Sequence, residues 1–402
     1  MTQFKDYDPR LSPITIHVKS MASPQEYFAA KAGDVRHEYL DGVHVLYRHE
    51  DIVKINRHPA VLGMGAAPKR MFATGSPLIP LEVDGEEHRK WRRVLDPMFS
   101  PKKMAELGES VRALAGELLD QFAADGFAEL HDAFCVPLPS LTFLRLVGAP
   151  VSDLDFFISF KDGVLHPEGE TLEEMNVNML EAGTKLLQYF VTFLAERRQD
   201  LEGRNDVISN LIRTEVDGEP VTDDLLLRIL FLFMFAGLDT VTASLSCVFA
   251  WLGQHPEERD RLVADPSLIP AATEEILRYE SPVPSGLRYP CEDIDLGDGL
   301  IVKAGETIHT LWSAANVDPT FHEDPLRVDF DRGRTNHIVF ASGAHRCLGS
   351  HLARLEIRIA VEELLARAPD FTTDPKELRF DNVSVRVANH LPIKFTPKTA
   401  GV

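Results

Sequence analysis

Cys347 stands where a thiolate can be put to use. It lies in Phe340-Ala-Ser-Gly-Ala-His-Arg-Cys-Leu-Gly349, directly ahead of an amphipathic helical pattern that starts near Ser350. Free N–H groups and the positive end of a helix dipole stabilise a thiolate at such a position. Gly343 and Gly349 remove side chains on either side of the sulfur, as a close-lying flat cofactor requires, and His345 places a donor just before it. An isolated cysteine is usually a buried, inert thiol. Phe, Gly, His, Cys and Gly at this spacing argue for a ligand instead.

A second cluster is Ala236-Gly237-Leu238-Asp239-Thr240, which interrupts an apolar helical run with a glycine, a carboxylate and a hydroxyl. Glycine inside a helix costs about 1 kcal/mol relative to alanine, and a buried carboxylate costs more unless it is partnered. Thr240 can bond back to the Ala236 carbonyl and open the helix locally. Gly237 could equally permit a close helix crossing, with Asp239 in a salt bridge. Glu275 and Arg278 in AATEEILRYESP face each other one helical turn apart, which by itself fits an exposed ion pair of little energetic consequence. His88 and Arg92 in DGEEHRKWRRVLDPMFSP share a helix face. From His88 to Lys103 six basic residues (Arg89, Lys90, Arg92, Arg93, Lys102, Lys103) meet one acid, Asp96, a balance of 6 − 1 = +5.

The elements that must position these residues are mostly helical. Ser110 to Phe122, Leu172 to Gln199, Asp223 to Trp251, Ala271 to Tyr279 and Gly349 to Ala368 place apolar residues three and four apart. Pro256, Pro282 and Pro369 stop three of them. Strand-like stretches are short: Ile14 to Val18, His44 to Tyr47, Leu300 to Val302 and Thr307 to Trp312, with Asp298-Gly299 as a hairpin turn. Ala315 to His337 has no period and reads as an irregular meander. No repeat or flexible linker divides the 402 residues, so one domain over 1–402 is expected, mainly α with small β-sheets.

Composition narrows the function. With 42 Lys and Arg against 62 Asp and Glu the net charge is −20, which repels phosphate backbones and anionic lipid. Nucleic-acid binding is not expected. Cys135, Cys247, Cys291 and Cys347 lie far apart without a CxxC pair, which speaks against a disulfide framework and for a reducing cytoplasm. The amino terminus lacks a signal-peptide pattern, and the apolar run Ile229 to Leu238 is about half the ~20 residues a spanning helix needs, so no membrane anchor is expected.

The Cys347 loop, FxxGxHxCxG, resembles the haem-binding loop of the cytochrome P-450 superfamily, the haem-thiolate monooxygenases. The resemblance covers the motifs in family order from residue 88 to residue 349. It implies the cytochrome P-450 fold, with haem b between the oxygen-activating helix and the helix of the Cys loop, and Cys347 as axial ligand. Phe340 is then packed near the sulfur, and Gly349 follows it. The family usually has glycine directly after the phenylalanine; here Ala341 stands there. Ala236, Gly237, Asp239 and Thr240 match the oxygen-activating segment, in which the glycine makes room for dioxygen and the acid and alcohol relay protons. Glu275 and Arg278 match the ExxR pair, and Arg332 the meander arginine that completes a structural triad. His88, Arg92, Arg288 and His345 match donors to the haem propionates.

The same resemblance implies a soluble bacterial enzyme that inserts one oxygen atom of O2 into a lipophilic substrate. With no fused reductase motif, electrons come from a separate acidic ferredoxin and its NAD(P)H-dependent reductase; the basic patch beside His88 is either a solvated helix face or the docking site of that donor. Pocket walls fall at Met71, Phe72, Leu78, Ile79, Met179, Leu232, Phe235, Val283 and Val385, all apolar and mostly bulky, which favours a compact terpenoid or aromatic over a macrolide and leaves fatty acids and steroids open. A peroxide-driven or oxygen-independent enzyme has no use for the Asp239–Thr240 pair. A haem sensor or carrier leaves both that pair and the basic patch without purpose.

Overall fold

A helix that is apolar on every face has to be surrounded, and Asp223–Gln254 is. The computed structural model describes residues 7–40, 42–68, 76–165, 168–169 and 171–397. Met71 and Phe72, expected beside the substrate, lie outside the described residues. Among the helices of the described residues, the ones that position the site are α1 (Gly85–Leu95), α2 (Gly108–Asp120), α3 (Pro137–Val147), α4 (Leu154–Leu165), α5 (Leu172–Gln199), α6 (Asp223–Gln254), α7 (Ile269–Glu280) and α8 (Ser350–Arg367). Helix α6 starts at Thr222, whose hydroxyl accepts the Leu225 N–H, and packs against α3, α4, α5, α7 and α8. By length and composition α6 could cross a membrane, but it runs through the interior of the body.

Helix α6 belongs to two cores. Its first half, up to Leu238, joins α3, α4 and α5 in one apolar cluster. Its second half, from Val241 on, joins α2, α7 and α8 in another. Asp239 and Thr240 sit on the seam, the place in the helix where polar side chains interrupt neither cluster.

A five-stranded sheet flanks the helices. It comprises β1 (His37–Leu40), β2 (Val43–Leu46), β3 (Val61–Leu62), β4 (Ser285–Pro290) and β5 (Thr307–Leu311), in the order β1-β2-β5-β4-β3. Only β2 and β5 run parallel; Ile308 of β5 lies between His44 on β2 and Arg288 on β4. The Asp298-Gly299 turn closes a separate hairpin of Ile294–Gly297 and Leu300–Val302, with both turn residues at positive φ.

Two local expectations fail for definable reasons. Ile14 to Val18 is helical, because Pro13 occupies the first helical position and Ser12 caps the turn by accepting the Thr15 N–H at 3.0 Å. Trp312 leaves β5 and begins the short helix Trp312–Ala315.

Candidate active site

The Cys347 loop is fixed by its backbone. The Cys347 N–H donates to the Phe340 carbonyl at 2.9 Å, and Arg346 N–H to the Gly343 carbonyl at 3.2 Å. Gly343 has φ +77°, and a Cβ there would lie 1.9 Å from the Asn56 carbonyl oxygen, so no other residue fits. Ala341 also adopts positive φ, 56°, a conformation that suits the glycine usual at this position better than an alanine. The Phe340 ring lies under the Arg354 guanidinium, 4.2 Å from ring centre to carbon. Cys347 is exposed as a residue, although protein atoms crowd its sulfur. Burial raises its pKa, while the Gly349 N–H and Arg92, Arg354 and Arg346 pull the other way. Cys135 and Cys247 are buried thiols; burial lifts Cys247 to about 12.

Four polar side chains gather at the loop: His88 and Arg92 from α1, Arg288 from β4 and His345 from the loop itself. His88 on α1 is buried, stacks obliquely on His345 with ring centres 4.2 Å apart, and leaves Nε2 without a partner among the described residues. Burial, then His345 and Arg92, push its pKa down to about 4. His345 Nε2 lies 2.8 Å from Asp84 Oδ1. Arg92 donates to Asp96 at 2.7 Å and to the Arg346 carbonyl at 2.7 Å, tying α1 to the Cys loop. Arg288 on β4 is buried, donates to the Leu287 carbonyl at 2.7 Å and has no ion pair among the described residues. Burial draws its pKa down to about 10. Donors left so poorly matched fit carboxylates.

Across α6, Ala236 is exposed although most of the helix is buried, and Thr240 is half-buried. Thr240 Oγ1 donates to the Ala236 carbonyl at 3.0 Å, yet the helix continues without a break. At Gly237 a Cβ would meet the Phe143 ring of α3 at 2.7 Å, so the glycine serves the close α3–α6 crossing.

Glu275, Arg278 and Arg332 form a buried lattice, not an exposed pair. Arg278 meets both Glu275 oxygens at 2.8 and 2.9 Å, and Arg332 reaches Oε1 at 2.7 Å. Arg278 also donates to the carbonyls of Asn316, Pro325 and Arg327, and Arg332 to those of Asp324 and Arg327. The meander thereby gains the fixed shape that its sequence lacks.

The expected pocket residues do not all face open space. Leu78 and Ile79 have no exposed surface and pack in the cluster of Trp91, Leu95 and Leu144, because Glu82 accepts the Leu78 N–H at 2.8 Å and folds the segment inward. Leu232 is buried in the same cluster, whereas Phe235, Met179, Val283 and Val385 are half-buried.

The basic patch is also corrected. Glu86 pairs with Arg89 and Arg93, Glu87 and Asp217 with Lys90, and Glu106 with Lys103. These acids stand just outside the stretch from His88 to Lys103 or come from elsewhere in the chain, and they cancel much of its charge. Lys102, by contrast, is exposed on a short helix beside a groove lined by Met104, Glu274, His351 and Arg354, on the α8 face that follows Cys347.

Two polar groups escape sequence reasoning. Lys161 on α4 brings Nζ within 3.7 Å of Asp239 Oδ1, both side chains nearly buried, and Asp239 Oδ2 has no partner among the described residues. Glu356 on α8 is buried beside Thr142, but neither Glu356 Oε1 nor Thr142 Oγ1 completes a hydrogen bond of good geometry. Burial raises the Glu356 pKa well above the ordinary carboxylate range, Thr142 offsetting little. A glutamate on the apolar face of LEIRIAVEEL was the only available signal.

A family model for cytochrome P-450 matches residues 170–379. The chain belongs to the cytochrome P-450 family. It is 32% identical over 363 residues to erythromycin C-12 hydroxylase of Saccharopolyspora erythraea, covering 88% of this chain and 89% of that one. It is 34% identical over 290 residues to pentalenic acid synthase of Streptomyces avermitilis, covering 72% and 70%. The crystal structure of the bacillaene cytochrome P-450 PksS of Bacillus subtilis superposes with TM-score 0.85 at 26% identity, over 97% of this chain and all of that one. This is a cytochrome P-450 monooxygenase of bacterial type, with the helical P-450 fold and haem held by a cysteine thiolate as cofactor. The residues present fit that group. An exposed cysteine at a helix start and an exposed Ala236 on the otherwise buried α6 suit a flat ring. Gly349 leaves empty space where a Cβ would stand, and His88 and Arg288 are buried donors short of anionic partners.

Proposed function

We propose that Cys347 is the axial ligand and that this monooxygenase oxidises a lipophilic terpenoid-class substrate with electrons from an acidic ferredoxin and its NAD(P)H-dependent reductase in the cytoplasm. The observation that carries the reading is the exposed Cys347 at the start of α8, set beside the poorly matched donors His88 and Arg288. Haem held by a thiolate supplies the activation of dioxygen. The chain supplies the rest. The Gly349 N–H and Arg92 temper the sulfur's charge, and His88, Arg92, Arg288 and His345 bind the two propionates. Thr240 Oγ1–H donates a hydrogen bond to the Ala236 carbonyl, which leaves the oxygen's lone pairs free to accept one. Asp239, on the seam of the two cores, moves protons inward, and Lys161 holds its carboxylate in place. Phe235, Leu232, Val283 and Val385 exclude water from the reacting carbon.

A macrolide is the second reading, favoured by the match to erythromycin C-12 hydroxylase over 88% of the chain and by the withdrawal of Leu78 and Ile79 from the pocket wall. A spectral binding screen decides between them: displacement of iron-bound water by terpenoids but not macrolides supports the first, and the reverse rejects it. Thr240→Ala tests the relay. It is expected to keep haem and substrate binding while diverting electrons to hydrogen peroxide or water. Unchanged coupling of NADPH to product rejects the role.

A further inference from the structure

Helix α5 carries an apolar face that its own fold does not cover. Its core side is Leu186, Phe190, Phe193 and Arg197, all buried. To one side of that stripe, Val177, Leu180, Leu187 and Val191 are 58%, 52%, 44% and 54% exposed. Four of the thirteen exposed large hydrophobic residues among the described ones thus stand on one helix, and no other helix holds more than one. Their order, with exposed Thr184 between, is Val177, Leu180, Thr184, Leu187, Val191: steps of three, four, three and four residues. Scattered exposed leucines have no period, whereas this spacing is that of a seam between two helices crossing at about 20°.

The same seam is charged oppositely at its two ends. Continuing the alternation reaches exposed Glu173 before Val177 and exposed Arg198 after Leu194. Leu194 itself turns into the core, which shortens the apolar part to the Val177–Val191 stretch, about 21 Å of helix. Arg198 already contacts Asp223 at 2.9 Å from Nε but keeps 39% of its side chain exposed. A parallel partner helix would set Glu173 against Glu173. An antiparallel one sets it against an arginine.

We propose that α5 pairs antiparallel with α5 of a second copy of this chain, about a two-fold axis between Lys185 and Leu186. In that register Leu180 meets Val191 of the partner subunit, Thr184 meets Leu187 of the partner subunit, and Glu173 meets Arg198 of the partner subunit. The contact is isologous, so it closes at two copies and cannot propagate. A single helix pair lies at the small end of the ~1,200–2,000 Å² that stable interfaces bury, so the dimer dissociates on dilution.

The test is sedimentation velocity of the haem-loaded protein from about 1 to about 100 µM, the range in which a small interface associates. Wild type is expected to shift from monomer to dimer. Leu180→Glu/Leu187→Glu is expected to stay monomeric throughout with an unchanged melting temperature. Glu173→Arg should weaken the dimer about tenfold by placing like charges at both ends, and Glu173→Arg/Arg198→Glu should restore it. Wild type monomeric at every concentration overturns the proposal, as does a dimer that survives the double glutamate variant. Failure of the charge swap to rescue overturns the antiparallel register. Wild type that stays monomeric yet binds phosphatidylcholine vesicles through Leu180 and Leu187 assigns the face to lipid instead.

Discussion

The two sides of the cofactor site are built on different principles. On the Cys347 side, individual bonds fix the chain: Glu275 with Arg278 and Arg332, Glu274 with His337 and Arg354, and Cys347 N–H with the Phe340 carbonyl. On the side of α4 and α5, aromatic and aliphatic contacts dominate, among them Phe156, Phe157, Phe160, Tyr189 and Phe190. Bonds to one atom tolerate one residue; apolar contact tolerates any residue of similar volume. The rigid side therefore admits few substitutions, and the apolar side admits many.

Breaking the rigid side should cost most. Arg278→Ala leaves Glu275, whose side chain is 1% exposed, with Arg332 as its one cationic partner, and about 3 kcal/mol of stability should go with it. Thermal melting of the haem-loaded protein checks this. A loss no larger than that of Leu232→Val, about 1 kcal/mol, would erase the distinction between the two sides.

Acid should weaken the same side first. Burial raises the Glu274 pKa, but the bonds from His337 and Arg354 outweigh it and hold the carboxyl down at about 2. A carboxylate with a depressed folded pKa stabilises above its unfolded value of about 4.5 and loses that contribution as pH falls toward about 2. After allowance for solvent screening at a side chain 29% exposed, about 1–2 kcal/mol is at stake. Glu274→Gln should flatten the fall in melting temperature over that window; an unchanged slope would detach Glu274 from acid stability.

Ala341 marks a place where the rigid side is imperfect. Relief of its positive φ in Ala341→Gly should raise stability by about 1 kcal/mol with the haem spectrum unchanged. Denaturant midpoints measure it, and a destabilised variant would mean that the alanine methyl packs better than its backbone is strained. The smallest effect concerns electron delivery. Lys102→Glu should slow reduction by an acidic ferredoxin several-fold at low salt, and Arg89→Glu less, because Glu86 already pairs with Arg89. Equal slowing would return the docking site to the α1 face.

What could be read from the residues follows the same division. The Cys loop and the long helices are written in local spacing, and Leu172–Gln199 matches its expected bounds. Gly237 was ambiguous because a glycine that admits a ligand and one that admits Phe143 look alike in one dimension. The burial of Glu275 and Arg278 is invisible locally, since their remaining partners come from the meander. Lys161 could not be found at all: nothing on its own helix points to Asp239, and only the α4–α6 packing joins them. Charge counted over a window fails when the neutralising acids, Glu86, Glu87 and Asp217, lie beyond its edges.

The central claim is that Cys347, and no other thiol, holds the iron. The most direct measurement is the Soret band of the reduced carbon monoxide complex in Cys347→Ser beside Cys291→Ser, the other exposed cysteine. Loss of the long-wavelength thiolate band in the first and its retention in the second is the predicted result. Retention of that band in Cys347→Ser would contradict the account.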